Sequence, residues 1–299
     1  MTERATGTRP PPRASIRIDA HQHFWDVESG RYAWPTEADG PIYRTFTPDD
    51  LVPEMAASQI DATVLVQTVD TLDDTDSMLA VAARHRFVGA VVGWVPLTTA
   101  RAAEQALETR PDPRLRGIRH LIHQEPDPAW LLRDDVAAGL QVLAERGLTF
   151  DVVAVFPDHL RLVPTIADRH PDLTVVIDHL AKPPLRSDGW VRWRDQLRQA
   201  AARPNVVAKI SGLETAAGPG WTDAEIRPAV EAAIDAFGPA RLMFGSDWPV
   251  CRLVSTYADA VGLTERLIAS LSVTERDAVM GATAARVYGI SPNPGEPPP

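Results

Sequence analysis

The sequence predicts an α/β fold, a (β/α)8 barrel, on three observations. Eight apolar, β-branched runs recur along the chain, amphipathic segments separate them, and unusual polar residues gather where the runs end. The runs read as continuous apolar stretches rather than strict alternation, which suits a parallel sheet covered on both faces. Strands alternating with helices over 299 residues match such a barrel. Its rival, an open doubly wound sheet, has no support in nucleotide-binding form, because no Gly-x-Gly-x-x-Gly follows an early strand.

The first strand, Ile16 to Ala20, runs into Asp19-Ala20-His21-Gln22-His23-Phe24-Trp25-Asp26. Side chains alternate along an extended strand, so His21 and His23 project to the same side. Two imidazoles converging at a strand end can share a metal ion or a reacting group, and they are costly to bury alone. A chance His-x-His or a structural pair fits the motif equally well, so its surroundings must decide. The loop from Phe24 to Thr45 carries Trp25, Tyr32, Trp34 and Tyr43, suited to lining a pocket or to packing on the surface.

Strands follow at Ala62–Gln67, Phe87–Val95, Leu115–Ile122, Leu148–Val153, Leu173–Asp178, Val206–Ile210 and Leu242–Ser246. Helical spacing shows in Val136-Leu140-Leu143-Ala144 and Leu160-Val163-Ile166-Ala167, and helix starts in Thr47-Pro48-Asp49-Asp50 and Thr222-Asp223-Ala224-Glu225. Gln67 ends the second strand, Arg119 and His120 lie near the end of the fourth, and Asp151 closes the fifth. His179 follows Asp178 at the sixth, Lys209 lies on the seventh, and Asp247 ends the eighth. Catalytic residues of barrels sit at C-terminal strand ends, so this clustering favours chemistry over scatter. His85 and His170 fall at helix ends, His159 reads as solvated, and His123 lies past its strand; none is assigned chemistry. Asp178 reads equally as a helix cap or as the partner of an imidazole, and Lys209 as half of a buried ion pair below the site.

Composition narrows the class. With 44% hydrophobic and 23% charged residues, the chain is an ordinary globular one. A net charge of -10 argues against nucleic acid or anionic membrane as partner, and no run approaches the ~20 apolar residues of a bilayer span. The single Cys251 excludes an internal disulfide framework and fits the cytoplasm. Residues 15–290 read as one domain, with disordered extensions at 1–14 and 291–299 rich in proline and no signal-peptide core. A small molecule is the expected partner, and an oligomer is compatible with this composition.

In these stretches the chain resembles the amidohydrolase superfamily, in the branch of sugar and pyrone lactonases. The motifs are Asp19-Ala20-His21-Gln22-His23-Phe24-Trp25-Asp26, Tyr32-Ala33-Trp34-Pro35, Gly117-Ile118-Arg119-His120, Asp178-His179-Leu180-Ala181-Lys182-Pro183, Lys209-Ile210-Ser211-Gly212-Leu213 and Phe244-Gly245-Ser246-Asp247-Trp248-Pro249. They stand in family order, and the nearest likeness is to fuconolactonase-type and rhamnonolactonase-type enzymes. The resemblance implies a distorted amidohydrolase-type barrel with His21, His23, His179 and Asp247 as catalytic positions. It implies at most one divalent ion, zinc or manganese, held by His21, His23 and Asp247, or metal-independent chemistry. Lys182 and Lys209, the only lysines, both lie off the fourth strand, which rules out the lysine-bridged binuclear site. Asp151 stands where mononuclear members usually carry a histidine.

Opening a lactone needs a positioned water, a polarised carbonyl and a proton for the leaving oxygen. Asp247 is the expected base and His179 the expected acid, with His120 as the alternative acid. Arg119, His120, Gln67, Trp34, Trp94 and Asp151 are the expected substrate contacts. The mouth's charge balance suits a neutral five- or six-carbon aldonolactone better than a dicarboxylated pyrone. Two other readings remain: a non-oxidative decarboxylase with one metal, which the missing fifth-strand histidine disfavours, and a catalytically silent barrel that binds a sugar acid.

Overall fold

A computed structural model describes residues 15–291, so the extensions expected at 1–14 and 291–299 lie outside the described residues, Ser291 apart. Eight strands form one sheet: β1 (Ile18–Gln22), β2 (Ala62–Val66), β3 (Val88–Gly93), β4 (Leu115–His120), β5 (Thr149–Val152), β6 (Val175–Ile177), β7 (Val206–Ile210) and β8 (Leu242–Phe244). Each pairs with the next in parallel. A Gln22–Trp248 bridge brings the last strand's extension back to the first, closing the barrel. The outer layer is helical: α1 (Pro48–Ser58), α2 (Leu72–Arg84), α3 (Ala100–Glu108), α4 (Asp134–Glu145), α5 (Val163–Arg169), α6 (Trp190–Ala201), α7 (Leu213–Ala217), α8 (Asp223–Phe237), α9 (Tyr257–Leu267), α10 (Val273–Asp277) and α11 (Thr283–Tyr288). No helix among the described residues is long and apolar enough to cross a membrane.

Local signals explain these starts. Thr47 and Thr222 close capping boxes with Asp50 and Glu225, satisfying amides that a helix start otherwise leaves bare. Outward-facing Leu65, Val91, Ile118, Phe150 and Phe244 pack under the helices. Inward-facing Val64, Val66, Ala90, Val92, Val176, Val207 and Met243 meet Ala284, Tyr288 and Ile290, so the C-terminal helix plugs the end where the strands begin. Gly281 permits that plug: a Cβ there would stand 1.9 Å from the Ile16 carbonyl oxygen.

Six strands end one or two residues earlier than the sequence pattern predicts, and two of these endings shape the site. β8 stops at Phe244 rather than Ser246, and Asp247 takes a φ of 55°. β6 stops at Ile177, after which His179, Leu180, Ala181 and Lys182 all have positive φ. Left-handed backbone costs a non-glycine residue about 1–2 kcal/mol. Such conformations persist where the surroundings hold them, and here they aim His179 and Asp247 at one point.

Candidate active site

Alternation from Ile18 and Ala20, which face inward, would turn His21 out of the barrel. A register slip between Asp19 and Gln22 prevents this. Asp19 fixes the slip: its Oδ1 accepts from the amides of His21 at 3.1 Å and Ser246 at 2.8 Å, and its Oδ2 from the Ser246 hydroxyl at 2.6 Å. Burial pushes the Asp19 carboxyl up to about 6. The seam continues as Asp247 N donates to His21 O at 2.8 Å and His23 N to Trp248 O at 2.7 Å. β1 and β8 therefore deliver their polar ends to the same place.

There the side chains converge. His21 Nε2 lies 3.1 Å from His23 Nε2, and Asp247 Oδ1 lies 3.7 Å and 3.5 Å from the two nitrogens. His179 joins them: its ring lies 4.5 Å from that of His21, and its Nδ1 pairs with the Ser211 hydroxyl at 2.9 Å. Gly212, at φ +58°, backs this corner, since a Cβ there would stand 2.9 Å from Asp247 Oδ2. Burial lowers the basicity of His21 far below the ordinary value, Lys209 and His179 adding to the effect against Asp178. Burial lowers His179 as well. Burial alone would raise Asp247, but His179, His23 and His21 outweigh it and hold the group as a carboxylate.

This donor set fits one divalent ion. His23 Nδ1 donates to the Val66 carbonyl at 2.8 Å, which leaves its Nε2 lone pair facing His21. Two imidazole nitrogens on one tetrahedral zinc stand about 3.3 Å apart, close to the spacing found. The ligand atoms of His21, His179 and Asp247 also lie within 4.8 Å of one another. Geometry thus offers His23 or His179 as the third ligand. The tautomer favours His23, because the Ser211 hydroxyl, unlike a carbonyl, can either donate to or accept from its histidine.

Beneath the cluster lies an ionic layer with no exposed atom at its centre. Lys209 Nζ contacts Asp151 Oδ2 at 2.6 Å, Asp178 Oδ1 at 3.1 Å and His21 Nδ1 at 3.3 Å. Arg119 donates to Asp178 Oδ2 at 3.2 Å and to the carbonyl oxygen of Gln67, and its Nη1 lies 3.3 Å from His21 Nε2. Two carboxylates share one ammonium. Burial would raise Asp178, but Lys209, His21 and Arg119 hold it well below the carboxylate range. Burial and the neighbouring Asp178 push Asp151 up, despite Lys209. The ion pair read for Lys209 is present, and of the two readings open for Asp178 the structure shows the contact with an imidazole, His21.

Three expected substrate contacts lie elsewhere than the mouth. Asp151 is fully buried, its oxygens taken by Thr149, Lys209 and Tyr288. Gln67 is fully buried against Asp70 and Arg119. Arg119 donates to Gln67 and Asp178, and its Nη1 reaches His21 Nε2 at 3.3 Å. The other three stay near the rim. His120 stacks on Trp130 at 4.1 Å, accepts from Trp94 Nε1 at 3.0 Å and pairs with Glu125 Oε1 at 2.6 Å. Trp34 is 39% exposed and meets Trp25 edge-on.

The sequence reading missed Ser211, Tyr288 and Glu214. Ser211 carried a signal, its place just past β7. Glu214, on α7, is buried with Oε1 unpartnered among the described residues, and burial pushes its carboxyl up to about 7. A lone acid in a short helix gives no such signal.

Comparison with known proteins agrees with this geometry. The family model described as Amidohydrolase matches residues 18–290. The chain is 42% identical over 245 residues to the L-fucono-1,5-lactonase of Burkholderia ambifaria, covering 82% of this chain and 84% of that one. It is 40% identical to the L-fucono-1,5-lactonase of Burkholderia multivorans, covering 94% and 98%. A crystal structure of a Burkholderia multivorans amidohydrolase with bound zinc superimposes with a TM-score of 0.87 at 39% identity, covering 93% of this chain and all of that one. With the barrel, the converging His21, His23, His179 and Asp247 and these relatives together, the chain belongs to the amidohydrolase family, in its sugar-lactonase branch.

Proposed function

We propose that this hydrolase opens the ring ester of a six-carbon sugar lactone, with L-fucono-1,5-lactone as the first substrate to test. The observation that carries this reading is the 40% identity to an L-fucono-1,5-lactonase along 94% of the chain. A divalent ion held by His21, His23 and Asp247 would polarise the lactone carbonyl and acidify water. Asp247, kept ionised by the imidazoles around it, takes the attacking water's proton. With Ser211 donating to Nδ1, the His179 ring carries its hydrogen on Nε2 and gives it to the departing ring oxygen. Asp247 then returns its proton to His179, which resets both groups, and the product acid gives its own proton to solvent and leaves as a carboxylate. Trp94, His120 and Trp34 supply ring faces and polar edges for the sugar. Asp151 and Gln67, bonded to Lys209 and Tyr288 and to Asp70 and Arg119, are left out of that role in this reading.

The test is acid release in weak buffer over a panel of 1,4- and 1,5-aldonolactones and a pyrone dicarboxylate, each with and without chelator. We expect kcat/KM for L-fucono-1,5-lactone to exceed that for the pyrone by at least a hundredfold. A pyrone preferred over every sugar lactone would overturn the substrate assignment.

A further inference from the structure

The groups that carry the proposed reaction lie at the C-terminal end of the strands, yet one polar path leaves His21 and crosses the barrel to its opposite end. From His21 Nδ1 it passes to Asp178 Oδ1 at 3.2 Å, from there to Lys209 Nζ at 3.1 Å and to Asp151 Oδ2 at 2.6 Å, and ends at the Tyr288 hydroxyl, which donates to the same oxygen at 2.6 Å. Every side chain on it is fully buried. Tyr288 belongs to α11, the helix that plugs the barrel, and its ring lies 5.4 Å from Lys209 Nζ.

We propose that Tyr288 is a positioning residue for the active site: by donating to Asp151, it divides Lys209 between Asp151 and Asp178 and so sets how firmly Asp178 holds and orients His21. Lys209 is pulled by Asp151 Oδ2 from one side and by Asp178 Oδ1, at 3.1 Å, from the other. In a medium of low dielectric, the ammonium moves toward the carboxylate with less compensation. Arg119 compensates Asp178 at 3.2 Å, while Thr149 and Tyr288 compensate Asp151. Removing the hydroxyl therefore draws Lys209 toward Asp151. Asp178, its Oδ1 3.2 Å from His21 Nδ1, is left less neutralised and makes His21 a stronger donor through Nε2. Burial raises the Tyr288 hydroxyl well above its ordinary range, so it remains a proton donor at any working pH.

The inference rests on placing His21 in the reacting cluster, so one readout is independent of the substrate. Zinc affinity is measured by competition with a chromogenic chelator, and kcat and KM on L-fucono-1,5-lactone, for the parent, Tyr288→Phe, Asp151→Asn and the double variant. Phenylalanine keeps the ring against Lys209 and deletes only the hydroxyl. We expect Tyr288→Phe to tighten zinc at least threefold and lower kcat at least threefold, with KM within twofold. In the Asp151→Asn background the same change should alter neither quantity by more than about half, since the path is already cut. Thr149→Val, which strips the donor from Asp151 Oδ1 without touching α11, should shift zinc affinity in the same direction and decides the matter if Tyr288→Phe does not fold. Zinc affinity unchanged in Tyr288→Phe, or an effect that persists undiminished beside Asp151→Asn, overturns the proposal. A parent inactive on every lactone would instead overturn the functional reading and leave the zinc result to judge Tyr288.

Discussion

Replacing Asp247 by asparagine separates the chemistry of this site from its architecture. Asparagine has nearly the same shape, and it is among the residues that best tolerate the left-handed backbone found here at φ 55°. The bonds that seat the residue are main-chain ones, from its amide to His21 O and from the Cys251 amide to its own carbonyl, and both survive. The fold should persist, with an unchanged circular dichroism spectrum. What disappears is the carboxylate that faces His21 Nε2 and His23 Nε2, at 3.7 Å and 3.5 Å. An amide takes no proton from water, and loss of a general base costs on the order of a hundredfold or more, or about 2.7 kcal/mol of transition-state stabilisation. The assay is kcat/KM on L-fucono-1,5-lactone at saturating zinc, after subtraction of the enzyme-free rate, with zinc content measured on the same sample. The base role requires a hundredfold loss even where zinc is retained. A zinc-loaded variant within about fivefold of the parent would refute it.

Elemental analysis of the active enzyme should find at most one equivalent of zinc or manganese per chain. Two equivalents would contradict a site whose fourth strand presents Arg119 rather than a bridging lysine. Glu214→Gln should raise the melting temperature by several degrees at pH 8 and by much less at pH 5. The sign follows from a carboxyl raised from 4.5 to about 7: the folded form binds its proton more tightly, so stability is fully present below pH 4.5 and is lost as pH rises through 7. The difference amounts to roughly 3 kcal/mol at pH 8, and a gain of equal size at both pH values would show that ionisation of Glu214 is not its source.

The barrel was legible because its evidence is redundant: each strand is an apolar run long enough to register, and a misread boundary leaves the order intact. His21, His23, His179 and Asp247 were legible because strand ends mark positions in space as well as in sequence. The depth of a residue along the barrel axis was not. Asp151 and Gln67 both fall near the ends of apolar runs, yet folding turns the first onto Lys209 and Tyr288 and the second onto Asp70 and Arg119. Arg119 reads as a mouth cation until its donors are traced to Gln67 and Asp178. The slip in β1 was invisible for a related reason. A bulge is fixed by Asp19 and Ser246, which lie 227 positions apart and meet only when the barrel closes. Tyr288 is the extreme case, an aromatic in a short terminal helix whose pattern announces packing alone. Its hydroxyl gains a polar task only after folding brings Asp151 within 2.6 Å. Residues that do chemistry sit where local sequence pattern points, whereas those that tune them are chosen by closure of the barrel, and only coordinates reveal that closure.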